Sequence, residues 1–217
     1  MKLLGSRFCG LVAGVFFAAA PALAEGEKAG DFDYYVMSLS WSAGWCAEDA
    51  ARKSEPQCAL GRKISFVLHG LWPQYERGWP SYCRTVHRDP SRLDTARQED
   101  LFGSSGAAFY QWKKHGRCAG LSAADYFATA RQAFGSVNIP EVLQKLQQRV
   151  KLPATVVEAA FIEANPGLRP DQITVTCAKG RIDEVRICLD KEMQPRRCGI
   201  DVIRDCALKE AILEPPR

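Results

Sequence analysis

Residues 64–73 read ISFVLHGLWP. The apolar, partly β-branched start predicts a short buried strand over 64–68 that runs into His69. Gly70 follows at once, so the imidazole should project from a rigid strand end into a loop. Residues 70–89 contain Pro73, Gly78, Pro80 and several aromatics, and predict a structured loop. Upstream, residues 31–41 (DFDYYVMSLSW) are aromatic and β-branched enough for another strand. Downstream, 90–101 predicts a polar helix and 107–115 (AAFYQWKKH) a helix closed by Gly116 as a C-terminal cap. Ser122-Ala-Ala-Asp125 is a capping-box variant that opens a helix to about Phe134. Residues 139–150 and 155–164 predict two more helices beside prolines. Strands are expected at 173–177, 181–190 and 200–203. In the middle one Ile182, Val185, Ile187 and Leu189 do not alternate cleanly, which leaves its register open.

Strands and helices follow one another without a regular βαβ rhythm. The expected class is therefore α+β: a single domain with a central, mainly antiparallel sheet flanked by helices. The chain has 217 residues, 47% hydrophobic and 25% charged, which excludes a disordered or collagen-like protein. A formal net charge of +4 is too small to mark a nucleic-acid binder by itself.

Residues 1–24 read as an export signal. Lys2 and Arg7 precede an uncharged run over 8–20, and Ala22-Leu23-Ala24 forms an A-x-A cleavage site. The run is shorter than the ~20 residues that span a bilayer, so no membrane anchor is expected after cleavage. The remaining domain is 25–217, in the periplasm or secreted. Removing the leader removes Cys9 and leaves eight cysteines: Cys46, Cys58, Cys83, Cys118, Cys177, Cys188, Cys198 and Cys206. An even number in an exported chain predicts disulfides, but their pairing is open among about a hundred possibilities. No C-x-x-C pair and no histidine pair has zinc-ligand spacing, so no metal site is expected.

Two of the three histidines have unusual settings. His69 ends the strand above. His115 lies in YQWKKHGRC (110–118), where Gln111, Lys114 and His115 share one helical face by i, i+3, i+4 spacing. Imidazole titrates near neutrality, so a pair can serve as one base and one acid. With an ammonium group to stabilise phosphorane oxygens, the set matches cleavage of RNA through its own 2′-hydroxyl. The nucleophile belongs to the substrate, so no cofactor or metal is required, and DNA should not be cut. The third histidine, His87, sits in a polar stretch and is expected to be a solvated loop residue.

Both segments resemble the two active-site signatures of the ribonuclease T2 family. His69-Gly-Leu-Trp-Pro73 is similar to the first. Trp112, Lys114, His115, Gly116 and Cys118 are similar to the second. The resemblance is strong over 64–83 and 107–120 and weaker elsewhere. It implies that His69 and His115 are the acid–base pair, with His115 as base and His69 as acid, and that Lys114 stabilises the pentacoordinate phosphorus. Trp72 and Trp79 would line a base pocket. The pairs Cys83–Cys118, Cys177–Cys206 and Cys188–Cys198 are implied, which leaves Cys46–Cys58.

Three positions depart from the family pattern. Gln111 stands where Glu is usual and Tyr110 where His is frequent. Both can still donate a hydrogen bond to phosphate. Gln74 replaces a frequent Asp, which leaves base preference open. The expected partner is single-stranded RNA, bound with salt-sensitive affinity by a monomer. One alternative is a family member that binds RNA but turns over poorly because of Gln111. A cysteine or serine peptidase is disfavoured, because no G-x-S-x-G is present and the cysteine count leaves no spare thiol.

Overall fold

The computed structural model describes residues 27–216. The expected leader at 1–24 lies outside them. Six strands form one sheet: β1 (Tyr34–Trp41), β2 (Phe66–Gln74), β3 (Val150–Leu152), β4 (Ile173–Ala178), β5 (Arg181–Leu189) and β6 (Ala211–Leu213). β1 pairs antiparallel with β2 on one side and with β5 on the other, and β4 pairs antiparallel with β5. β6 meets β5 in parallel only at Arg181↔Ile212 and carries β3. Around the sheet lie α1 (Ser42–Glu48), α2 (Arg92–Ala96), α3 (Glu99–Phe102), α4 (Ser105–Lys114), α5 (Ala123–Gly135), α6 (Glu141–Gln144) and α7 (Ala154–Ala164). The architecture is the expected mixed α+β domain.

The two faces of the sheet differ. Met37, Leu39, Trp41, Phe66, Leu68, Leu71, Val185, Ile187 and Leu189 join the main core, where α4, α5 and α7 contribute Trp112, Tyr126 and Phe161. Phe66 makes edge contacts with Trp41 and Phe161 at 4.8 and 5.4 Å between centroids. Complete burial of side chains of this size stabilises by roughly 1.5–3 kcal/mol each. The opposite face carries a small cluster of Tyr34, Val36, Val202 and the half-cystines Cys188 and Cys198. Four disulfides join Cys46–Cys58, Cys83–Cys118, Cys177–Cys206 and Cys188–Cys198.

Several sequence expectations need correction. The strand expected over 64–68 runs from Phe66 to Gln74, so His69 is inside it and the loop starts only after Gln74. The register explains how. Leu39 faces Leu68 and Ser38 faces Gly70, which leaves His69 as the extra residue of a β-bulge. The bulge puts Leu68 and Leu71 on the same core face, although an unbroken strand would place them on opposite faces. A similar irregularity between Val175 and Cys177 opposes Thr176 to two residues of β5, Asp183 and Glu184. This is why Ile182 and Val185 are both buried.

The helix expected over 90–101 is divided into α2 and α3, with α2 opened by a Ser91–Asp94 capping box. Of 139–150 only Glu141–Gln144 is helical. That stretch buries Leu143 alone, and Val150 leaves to pair with Leu213 in β6. Residues 200–203 form a turn and not a strand. The Val202 amide returns to the Gly199 carbonyl at 3.0 Å, and Ile200 is solvent-exposed.

Gly116 is not a left-handed cap. His115 caps α4 and Gly116 begins a tight turn, while Gly120 (φ 74°) ends that turn. The space at Gly116 matters instead: a Cβ there would lie 2.7 Å from the Trp112 ring and 2.9 Å from Tyr126. Gly116→Ala is therefore expected to cost about 1–3 kcal/mol by overpacking. Gly135 has nothing within 4 Å at the same position, so Gly135→Ala should be neutral or stabilise α5 by up to about 1 kcal/mol. Urea unfolding midpoints of the two variants check this contrast.

Candidate active site

α4 is positioned at both ends. Ser104, in extended conformation, accepts from the Ala107 amide at 3.1 Å and caps the N-terminus. Ala108, Gln111 and Trp112 form the buried stripe. Lys113 and Lys114 occupy the last turn, where cations complement the free carbonyls. The Trp112 indole donates to Asp89 at 2.8 Å, and Arg117 grips the same carboxylate. Tyr82 donates its amide to the Lys114 carbonyl at 2.8 Å, and Cys83–Cys118 ties the following turn. Behind β2, the Tyr126 hydroxyl donates to the Leu71 carbonyl at 3.0 Å. The segments that carry His69 and His115 are thus fastened to the same core.

The eight residues singled out as candidate site residues line one cleft of about 430 Å³: His69, Trp72, Gln74, Trp79, Tyr110, Gln111, Lys114 and His115. Val36, Arg186, Asp201, Val202 and Arg204 complete it. Trp72 is the common neighbour of both imidazoles. Its ring lies edge-on to His69 and stacks against His115 at 30°, with centroid separations of 5.2 Å in each case. The indole N–H donates to Gln111 Oε1 at 2.8 Å. That hydrogen bond occupies the space above Gly70, where a Cβ would come 2.1 Å from the indole nitrogen. Gln111 therefore orients Trp72 as well as facing the cleft. Trp79 and Tyr110 are about half exposed at the rim. The Lys114 ammonium lies 5.9 Å from the Tyr110 ring centroid.

The two imidazoles have different surroundings. His69 keeps 45% of its side chain exposed, and its Nδ1 is in hydrogen-bond contact with Glu184 on β5. His115 is only 5% exposed, and its Nδ1 is buried without a protein partner. Burial, with Lys114 and His69 adding positive charge, lowers the His115 pKa to about 3. For Glu184, burial works to raise the pKa, but the contacts with His69 and Arg186 outweigh it and hold the carboxyl at about 2. Neither Glu184 nor Arg186 was singled out from the sequence as a site residue. The available signal was an oppositely charged pair at i, i+2 that shares one face of the strand. Small residues Ser38 and Ser40 face that pair across β1 and leave the site face open.

A second depression of about 560 Å³ also touches His69, Tyr110 and Gln111, and continues over Ala107 and Glu184. His87 is exposed and outside both cavities; the half-buried, ion-paired Arg196 also lies outside them. Lys113 packs over Phe109 at 5.9 Å and does not line either one.

The sequence pattern of the Ribonuclease T2 family matches residues 32–198. The chain belongs to the ribonuclease T2 family. It is similar to a ribonuclease of Aeromonas hydrophila, 44% identical over 124 residues that cover 56% of this chain and 53% of that protein. A probable ribonuclease of Haemophilus influenzae is 29% identical over 180 residues, 76% of this chain and 61% of that protein. The matches thus span between about half and three-fifths of these two relatives. Among solved structures, RNase NT in complex with 5′-AMP has the same fold, with a TM-score of 0.62 and 24% identity over 86% of this chain and 100% of that one. An RNase-related protein from Calystegia sepium gives 0.65 and 20% identity over 85% and 97%.

The His115 environment has a consequence for stability. The unfolded imidazole binds a proton near pH 6.5, the folded one only near 3. Across that interval the unfolded chain holds more protons, so stability rises with pH, by at most ~1.4 kcal/mol per unit from this group. Comparison of urea unfolding of wild type and His115→Phe over this range should show a shallower slope in the variant. Equal slopes would mean that the ring is not kept neutral by burial.

Proposed function

We propose that this protein is an endoribonuclease that cuts single-stranded RNA by attack of the 2′-hydroxyl on the adjacent phosphorus. The observation that carries the reading is the single cleft shared by two imidazoles and an ammonium group, with one indole in contact with both rings. His115, kept neutral by burial, removes the 2′-hydroxyl proton. The oxygen bonds to phosphorus, the 5′-oxygen departs, and His69 protonates it. Lys114 stabilises the charge on the non-bridging oxygens. The product is a 2′,3′-cyclic phosphate, which water then opens with the acid and base roles exchanged. A phosphodiester in the cleft places negative charge near His115 and restores some of the proton affinity that burial removes.

The cavities on either side of His69 suit nucleotides flanking the scissile phosphate. Trp72 and Trp79 offer stacking surfaces that accept several bases, with Gln74 as the polar group at the base. The related RNase NT was solved in complex with 5′-AMP, which supports nucleotide binding here. The nucleophile is part of the substrate, so the chemistry asks for no metal, and a strand without a 2′-hydroxyl is not cut. We assign the leader at 1–24 to export, which places the mature chain, a monomer, in the periplasm or outside the cell.

Incubation of the purified mature protein with RNA and a chelator should give fragments ending in 2′,3′-cyclic phosphate. His69→Phe and His115→Phe should each lower kcat by at least about 10²-fold, the scale of a lost general acid or base. Fragments that persist undiminished in both variants would remove the assignment. RNA binding by the wild type without cleavage would favour the poorly active alternative.

Gln111→Glu tests the departure from the family pattern. A carboxylate one helical turn before His115 favours the imidazolium, so the acid limb of the kcat/KM profile should move to higher pH. Identical profiles for the two proteins would show that position 111 does not tune the site electrostatically.

A further inference from the structure

The proposed reaction needs Nε2 of His69 to face the cleft and to present its proton to the departing oxygen. Nothing in the histidine motif fixes which ring nitrogen does so. β5 supplies a candidate. Its Glu184 is buried on the site face and in contact with His69 Nδ1 across 115 residues of sequence. The other carboxylate oxygen, Oε2, accepts from Arg186 Nε at 2.8 Å and from a terminal nitrogen of the same guanidinium at 2.7 Å. Arg186 also lies over Trp72, 5.4 Å from its centroid. Among the described residues, no other carboxylate forms an ion pair with an imidazole.

We infer that Glu184, clamped by Arg186, is the positioning residue that holds His69 in its Nδ1–H tautomer and turns Nε2 toward the scissile phosphate. The reasoning is about capacity to donate. An ionised carboxylate only accepts, so the hydrogen between Glu184 and Nδ1 belongs to the imidazole. The two Arg186 bonds use Oε2 and leave Oε1 for His69, so the carboxylate cannot rotate away from it without breaking a paired contact. The bulge gives His69 no cross-strand partner, so its direction has to be set from another strand. The same guanidinium packs on the indole that neighbours both imidazoles. Arg186 therefore couples the orientation of His69 to that of Trp72. Asp183, Glu48 and Lys179 line the neighbouring depression with Glu184, but the contact with the imidazole belongs to Glu184.

This inference rests on the ribonuclease reading for its catalytic meaning, but its structural content is tested without any turnover. ¹⁵N spectra of the folded protein, at a pH where His69 is neutral, distinguish the two tautomers. Wild type should show His69 with Nδ1 protonated. Glu184→Gln keeps an acceptor oxygen and should keep that tautomer. Glu184→Ala should shift His69 toward the Nε2–H form that free imidazole side chains prefer. If Glu184→Ala does not fold, the wild-type tautomer and the Glu184→Gln spectrum still decide the point. A wild-type Nε2–H tautomer, or an unchanged tautomer in folded Glu184→Ala, overturns the inference. In activity, Glu184→Ala should lower kcat by roughly 10- to 100-fold with KM changed by less than about threefold, the pattern of a lost outer partner to histidine, and Glu184→Gln should recover most of that loss. A rise in KM alone would overturn the positioning role. Absence of ribonuclease activity in wild type, with the Nδ1–H tautomer present, would sink the functional reading and leave the positioning intact.

Discussion

One extra residue in β2 sets up everything else in the site. A strand that buries Phe66, Leu68, Leu71 and Pro73 against the same layer of helices cannot do so with strict alternation. The bulge at His69 makes the two halves compatible and leaves that residue unpaired and outward. The hydrophobic effect fixes the phase of the strand on either side, and the imbalance appears where chemistry needs a free imidazole. A shift of register by one residue would exchange the faces and bury the imidazole in the core. The position of His69 therefore follows from packing on the opposite face of the sheet.

Burial then divides the labour between two side chains of the same kind. His115 sits buried at the end of α4 with Trp72 stacked against it, and it loses proton affinity. His69 stands half in solvent with a carboxylate behind it. Two groups with equal intrinsic chemistry become unlike because one has lost its solvent and the other has gained a counter-charge. The charge that the family's usual Glu would bring to position 111 is absent here. Gln111 serves instead as an acceptor that fixes the indole beside both rings.

Much of this was legible in the sequence, and the gaps have physical causes. α5, α7, β1, β4 and β5 followed from capping and apolar pattern. So did the shared face of Gln111, Lys114 and His115, because helical spacing is local. β3 and β6 were invisible: each has three residues, and each exists because the other is there to pair with it. The same pairing ended the helix expected over 139–150. The length of β2 was misread because Gly70 and Pro73 usually interrupt strands. Here β2 is an edge strand, where a proline without an N–H is tolerated, and Gly70 is required by its neighbours above. Glu184 and Arg186 could not be placed beside His69 from sequence, since a bulge in β5 hides their phase and their partner is distant along the chain.

The contact above Gly70 has an implication for how this site can change over generations. Position 70 admits no side chain as long as Trp72 reaches Gln111, so three separate codons are bound into one unit of variation. A mutation at any of them meets selection in the context of the other two, and the order in which replacements arrive decides which are viable. Glutamine and glutamate have nearly the same shape, so an exchange at 111 is the rare step that alters charge without reopening the whole arrangement.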